Sequence, residues 1–192
     1  MKSAFYDDHF YHVYNRGTRK SRIFFSEENY RYCLKLISKY ALRYKVGIVA
    51  YCLMPNHYHF LVRQQPGGSV ALFLQTTFNA YAQAVNKQRG MHGTLFESSA
   101  QSLNVDTDAY LLELVRYIHL NPVTANLVKA LQDWKFSDYG VWAGIKENLL
   151  ATPCLRHEYF ESGEAYRLYV DAFIQERSFS AIRQFLFHEE DD

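Results

Sequence analysis

Apolar positions along this chain follow two different periods. FYHVYNRG (10–17) alternates and closes on Gly, which predicts a strand and a turn. TRKSRIFF (18–25) predicts a basic loop. Ser26, followed by Glu27, Glu28 and Asn29, has the composition of a helix start with acid in its first turn. Tyr30, Leu34, Ile37, Tyr40 and Ala41 then recur at helical spacing, so the helix is expected to run to about Tyr44. KVGIVAYCLM (45–54) and HYHFLVR (57–63) predict two strands joined by a Pro55-Asn56 turn, a hairpin. QQPGGS is a loop, and Val70 to about Arg89 predicts a helix that stops before Gly90. A further strand is expected near 99–105. Thr107 or Asp108 caps a helix carried by Tyr110, Leu111, Leu114, Val115 and Ile118, and Pro122 ends it or opens a new helical turn.

The order is therefore βαββαβ with one more helix. It predicts an α+β, ferredoxin-like core, with an antiparallel sheet carrying helices on one face. Residues past about 144 are less regular and acidic. The expected division is one domain over 1–144 and a C-terminal helical appendage over 145–192.

Composition narrows the class. With 192 residues, 48% of them hydrophobic, the chain can bury a core of its own. No stretch approaches the roughly 18 apolar residues of a spanning helix, so no membrane association is expected. MKSAFYDDHF carries no apolar signal core, and Cys33, Cys52 and Cys154 form no CxxC pair; both point to the cytoplasm. The net charge of +1 conceals an asymmetry: residues 1–96 hold 13 Lys/Arg against 4 Asp/Glu, and residues 97–192 hold 8 against 16. A basic half suits a polyanion, although an uneven solvated surface has the same count. The 16 Tyr and 14 Phe suit base stacking and core packing alike.

The chemistry concentrates in MPNHYHFLV (54–62). On a strand, His57 and His59 point to one side and Tyr58 to the other, so the two imidazoles can share a cation. Cys52 is the nearest soft ligand and opens a zinc-hydrolase alternative. RYIHLNPVTA (116–125) offers another donor. Tyr117 and Asn121, spaced i, i+4, share a helix face. The Asn121 carbonyl would complete a metal shell, with the Tyr117 hydroxyl one turn away. The plainer alternative for Tyr117 is an amphipathic core residue. His119 lies on another side of that helix, and His12, on a strand, reads as structural rather than as a third ligand.

AYCLMPNHYHFLV together with YLLELVRYIHLNPVTANLV resembles the single-tyrosine HUH transposases of the IS200-like type, and among them the REP-associated tyrosine transposases. YHVYNRG, FFSEEN and WKFSDY fit the same group, and the resemblance covers about residues 9 to 144. It implies that His57 and His59 are metal ligands for Mg²⁺ or Mn²⁺, that Asn121 is the polar ligand and that Tyr117 is the nucleophile. The implied substrate is single-stranded or hairpin DNA, cut and rejoined through a 5′-phosphotyrosine link. The implied protein is a monomer or homodimer.

Arg16, Arg19, Lys20 and Arg22 then become candidate phosphate contacts, and Asn15 a candidate base reader. One departure stands out. Where relatives carry a pattern resembling Q-G-R-[FY]-K-S, this chain has Glu97, Ser98, Ser99, Ala100 and Gln101, without the Arg and the Lys. A DNA-binding descendant with little cleavage activity therefore stays open beside the cutting enzyme.

Overall fold

A computed structural model describes residues 4–147, 150 and 155–176; Cys154 and residues 177–192 lie outside the described residues. The elements are β1 (Phe10–Arg16), α1 (Glu27–Arg43), β2 (Val46–Leu53), β3 (His57–Gln64), α2 (Val70–Arg89), β4 (Gln101–Val105) and α3 (Asp108–Thr124). The short α4 (Tyr139–Trp142) and α5 (Arg156–Tyr159) and then α6 (Gly163–Glu176) follow. The four strands form one sheet in the order β2-β3-β1-β4, and every neighbouring pair is antiparallel. This is the ferredoxin-like arrangement that the element order predicts. Among the described residues, no helix is long and apolar enough to cross a membrane.

The helix starts and stops follow from local chemistry, with two departures. Ser26 is the N-cap of α1, but its side chain makes no cap bond; instead Asn29 Oδ1 reaches back to the Phe25 N–H at 3.1 Å. Thr107 caps α3 by accepting from the Tyr110 N–H. Pro122 neither ends α3 nor opens a new element. The helix continues to Thr124, and Pro122 deprives only the Ile118 carbonyl of its usual donor, a single lost bond in the last two turns. Gly90 ends α2 at φ 60°, a left-handed cap that a Cβ would penalise.

Helices cover both faces of the sheet, not one. Tyr11, Val13, Tyr58, Phe60 and Val62 pack with residues of α1 and α2 in one core. Ala50, Cys52 and Leu61 pack on the opposite face with Leu111, Leu114, Val115 and Ile118 of α3. Tyr166, Val170 and Phe173 of α6 join that second core. The extra helix thus roofs the side of the sheet that a bare ferredoxin-like core leaves open. This explains why every residue of β2 is buried and why its sequence runs apolar rather than alternating. A register shift between Ile48 and Ala50 places Val49 and Ala50 both in the α3 core, so alternation breaks there as well.

Three side chains tie α3 to the chain around it. Asp138 Oδ1 accepts from the Tyr51 N–H at 2.7 Å and from His119 Nε2 at 2.9 Å. The other His119 nitrogen meets the Tyr166 hydroxyl at 2.5 Å. His119 is therefore a buried anchor between α3 and α6. Replacing Asp138 with Ala strands two inward-facing donors, at about 1–3 kcal/mol each. Urea unfolding of Asp138→Ala is expected to show a loss of about 3 kcal/mol with an unchanged m-value; a loss below about 0.5 kcal/mol would exclude this anchoring role.

Candidate functional site

The pairing of β1 with β3 builds the site. Tyr14 stands opposite His59, Arg16 opposite His57 and His12 opposite Leu61. Directly paired residues share a face, so His12, Tyr14, Arg16, His57 and His59 all project toward α3. Cys52 pairs with His59 from the other side. The His57 and His59 rings are 5.1 Å apart between centroids and nearly perpendicular. The half-buried Tyr117 ring meets His59 edge-on at 5.4 Å. Tyr117 and both imidazoles are thus brought together.

Each imidazole is held through Nδ1. His57 Nδ1 lies 2.8 Å from Asn56 Oδ1. Since that oxygen only accepts, Nδ1 carries the proton and Nε2 presents a lone pair. His59 Nδ1 lies 3.0 Å from Nε2 of His12, again leaving Nε2 for the site. Burial pushes the His57 pKa down to about 4, with Asn121 opposing and Arg16 reinforcing the shift. Burial also holds His59 well below its ordinary value, helped by its two histidine neighbours, and pushes His12 down to about 3. All three rings are uncharged at neutral pH, the form that ligates metals.

Asn121 completes the set. Its Nδ2 donates to the Tyr117 carbonyl at 2.9 Å, one helical turn back. Its side chain also lies within hydrogen-bonding reach of His57 and opposes the lowering of that ring's pKa. The residues fit a divalent cation: two neutral imidazoles and one oriented amide oxygen leave positions open for water or phosphate. Among the described residues no group of three or more His, Cys, Asp and Glu side chains could hold a metal ion, so the fit depends on Asn121. Cys52 does not serve the zinc alternative. It is fully buried, its thiol is turned to Met54 Sδ at 3.6 Å, and burial followed by Asp138 raises its pKa well above the ordinary thiol range.

The basic residues divide into two groups. Arg19, Lys20 and Arg22 are exposed. They lie on a loop that wraps the Pro55-Asn56 turn. Gly17 N–H donates to the Asn56 carbonyl at 2.8 Å, and the Ile23 and Phe24 N–H groups to the Pro55 carbonyl at 2.9 and 3.1 Å. A Cβ at Gly17 would lie 2.1 Å from the Ser21 carbonyl oxygen, so this close wrap requires glycine. Arg16 is nearer the histidines but pairs with Glu97. Asn15 does not present its amide to a base edge. It is 7% exposed, belongs to the opposite face with its partner Tyr58, donates to the Ser98 carbonyl and accepts from the Arg16 N–H.

Two participants do not stand out in the sequence: His12, which reads as structural on its strand, holds His59, and Asn56, a residue of the turn, holds His57. Asn56 is the chain neighbour of His57, a signal that was present, whereas the approach of His12 to His59 arises only when β1 and β3 pair.

A search of curated proteins finds no match. Among solved structures, a REP-associated tyrosine transposase bound to a REP hairpin aligns with a TM-score of 0.64 at 14% identity, covering 80% of this chain and 96% of that one. At that identity the likeness speaks for the fold alone. A candidate transposase from Deinococcus radiodurans aligns with a TM-score of 0.42 at 19% identity, covering 62% of this chain and 95% of that one. The model of the family described as "Transposase IS200 like" matches residues 5–121, from before the first strand to the Asn121 amide and over more than half of the sequence, and the chain belongs to that family.

Proposed function

We propose that the protein cuts and rejoins single-stranded DNA, with Tyr117 as the nucleophile and hairpin DNA as the substrate class. The observation that carries this reading is the Tyr117 ring standing edge-on to His59, on the face His59 shares with His57. In the reaction, the Tyr117 hydroxyl gives up its proton and its oxygen attacks phosphorus. The P–O3′ bond breaks, the leaving 3′ oxygen takes up a proton, and the phosphate stays bound to Tyr117 as a 5′-phosphotyrosine. Attack by another 3′-OH reverses the step and rejoins the strand without water. Mg²⁺ or Mn²⁺ held by His57, His59 and Asn121 would polarise the scissile phosphate. Arg19, Lys20 and Arg22 serve the flanking phosphates, and a flexible single strand reaches a recessed phenol that a stacked duplex cannot. Residues 1–144 carry this chemistry, and α6, beyond them, packs against α3. Hairpin DNA also has support from the structural relative, which is bound to one.

A second reading, DNA binding with little cleavage, has one observation in its favour. Glu97 already engages Arg16 beside the histidines, where a phosphate would otherwise pair with it. Covalent trapping separates the two. Incubated with single-stranded hairpin oligonucleotides and Mn²⁺, the protein is expected to give a DNA-shifted band that Tyr117→Phe abolishes while still binding DNA. A wild-type protein that binds but forms no adduct across a broad oligonucleotide library would favour the second reading.

Two further outcomes follow from the electrostatics. Each phosphate contact to a single strand contributes about 0.7 to the slope of log K against log salt, so replacing Arg19, Lys20 and Arg22 by Ala is expected to reduce that slope by about 2. An unchanged slope would remove this loop from the DNA path. The second concerns pH. Protonation competes with a cation for an imidazole, and the competition begins only as pH falls toward the folded pKa. With His57 held at about 4 and His59 also well below its ordinary value, Mn²⁺ affinity at pH 5.5 is expected to stay within about twofold of that at pH 7.5. An ordinary imidazole of pKa about 6.5 would lose about tenfold per histidine over the same interval. Calorimetric titration at the two pH values distinguishes these cases.

A further inference from the structure

His12 is 2% exposed, on the central strand β1. Its ring meets that of His59 edge to edge, with centroids 5.3 Å apart and planes 17° from parallel. Its Nε2 lies 3.0 Å from His59 Nδ1. Its other nitrogen, Nδ1, is buried and has no hydrogen-bond partner among the described residues. A core histidine placed only for packing has no reason to aim one nitrogen at a ligand's ring and leave the other unserved.

The contact between the two rings holds one proton. If the proton sits on His12 Nε2, then His59 accepts at Nδ1 and, being neutral, carries its own proton on Nε2. That proton occupies the nitrogen a cation would need and blocks ligation. If the proton sits on His59 Nδ1, then His59 Nε2 presents a lone pair to the site. His12 must in that case carry its proton on Nδ1, the atom with no acceptor. The two arrangements contain the same number of protons and differ only in tautomer.

We propose that His12 is the positioning residue that sets the tautomer of His59, accepting the His59 Nδ1–H at its own Nε2 and so turning the His59 Nε2 lone pair toward the cation. This inference rests on the metal reading given under Proposed function. His57 receives the same service from the Asn56 side-chain oxygen, an acceptor that cannot exchange roles. His12 can exchange roles, and its unserved Nδ1 weights the pair toward the non-ligating form. Cation binding has to overcome that bias. The site therefore has one ligand permanently poised and one that must switch, which weakens affinity and favours release.

The test uses the full chain. Nitrogen-15 spectra of the histidine rings read the tautomer directly. In wild-type protein with saturating Mg²⁺, His59 is expected to show a protonated Nδ1 and an unprotonated Nε2. A His59 that keeps its proton on Nε2 under those conditions overturns the proposal. Calorimetry with Mn²⁺ gives the second readout. His12→Phe keeps a flat buried ring but offers no acceptor, and its Mn²⁺ affinity is expected to fall about 10- to 100-fold, the usual consequence of losing such a partner. His12→Gln supplies an amide oxygen as acceptor and has no tautomer to exchange, so its Mn²⁺ affinity is expected to return at least to the wild-type level. A folded His12→Phe protein that binds Mn²⁺ as wild type does overturns the proposal, and so does a loss in His12→Phe that His12→Gln fails to recover. A wild-type protein that binds neither ion overturns the metal reading and this inference together. Normal Mn²⁺ binding without any DNA adduct overturns only the strand-transfer reading and leaves the His12 result standing.

Discussion

The register between β1 and β3 is the constraint on which the rest depends. Side chains on a strand have a period of two, so a slip of one residue would carry every member of the site to the opposite face. The polar residues do not fix this register themselves. Tyr11, Val13, Tyr58, Phe60 and Val62 do, because each is at most 1% exposed on the α1/α2 side of the sheet. Burying side chains of that size is worth about 1.5–3 kcal/mol each, and a slip would forfeit all of them together. The apolar face is the jig, and His12, Tyr14, His57 and His59 take their places from it.

The other half of the site comes from a different core. α3 lies across the polar face, held by its own leucines and by the His119 contacts with Asp138 and Tyr166. Tyr117 and Asn121 descend from that helix onto the histidines. The site therefore sits at the seam between a sheet locked from one side and a helix locked from the other. Its electrostatics suit that position: neutral imidazoles lie inside, the Arg16–Glu97 pair sits at the margin, and free-standing cationic side chains occupy the exposed loop. Charge rises toward solvent, where a polyanion would first be met.

Much of this was legible in the residues. The strands and helices follow from periodicity, and the shared side of His57 and His59 follows from a spacing of two. The placement of α3 was not legible, since an amphipathic pattern shows that a helix has a buried stripe and not which surface it covers. The face that Cys52 takes was not legible either, because the length of the turn at Met54–Asn56 sets its register against His59. Asn15 and Arg16 look alike in a sequence, as polar neighbours before a glycine. The pleat sends one inward to Ser98 and Tyr58 and the other toward His57. The part played by His12 is a property of two strands 47 residues apart, and local reading has no access to it.

The wrap of residues 17–24 around the Pro55-Asn56 turn has a mechanical consequence. The peptide groups that grip the turn belong to the same short segment that carries Arg19, Lys20 and Arg22, and Asn56 Nδ2 donates to the Lys20 carbonyl at 3.3 Å. Asn56 in turn grips the His57 ring. The segment that carries these three cations and the His57 ring are therefore joined through one side chain, Asn56, by two hydrogen bonds.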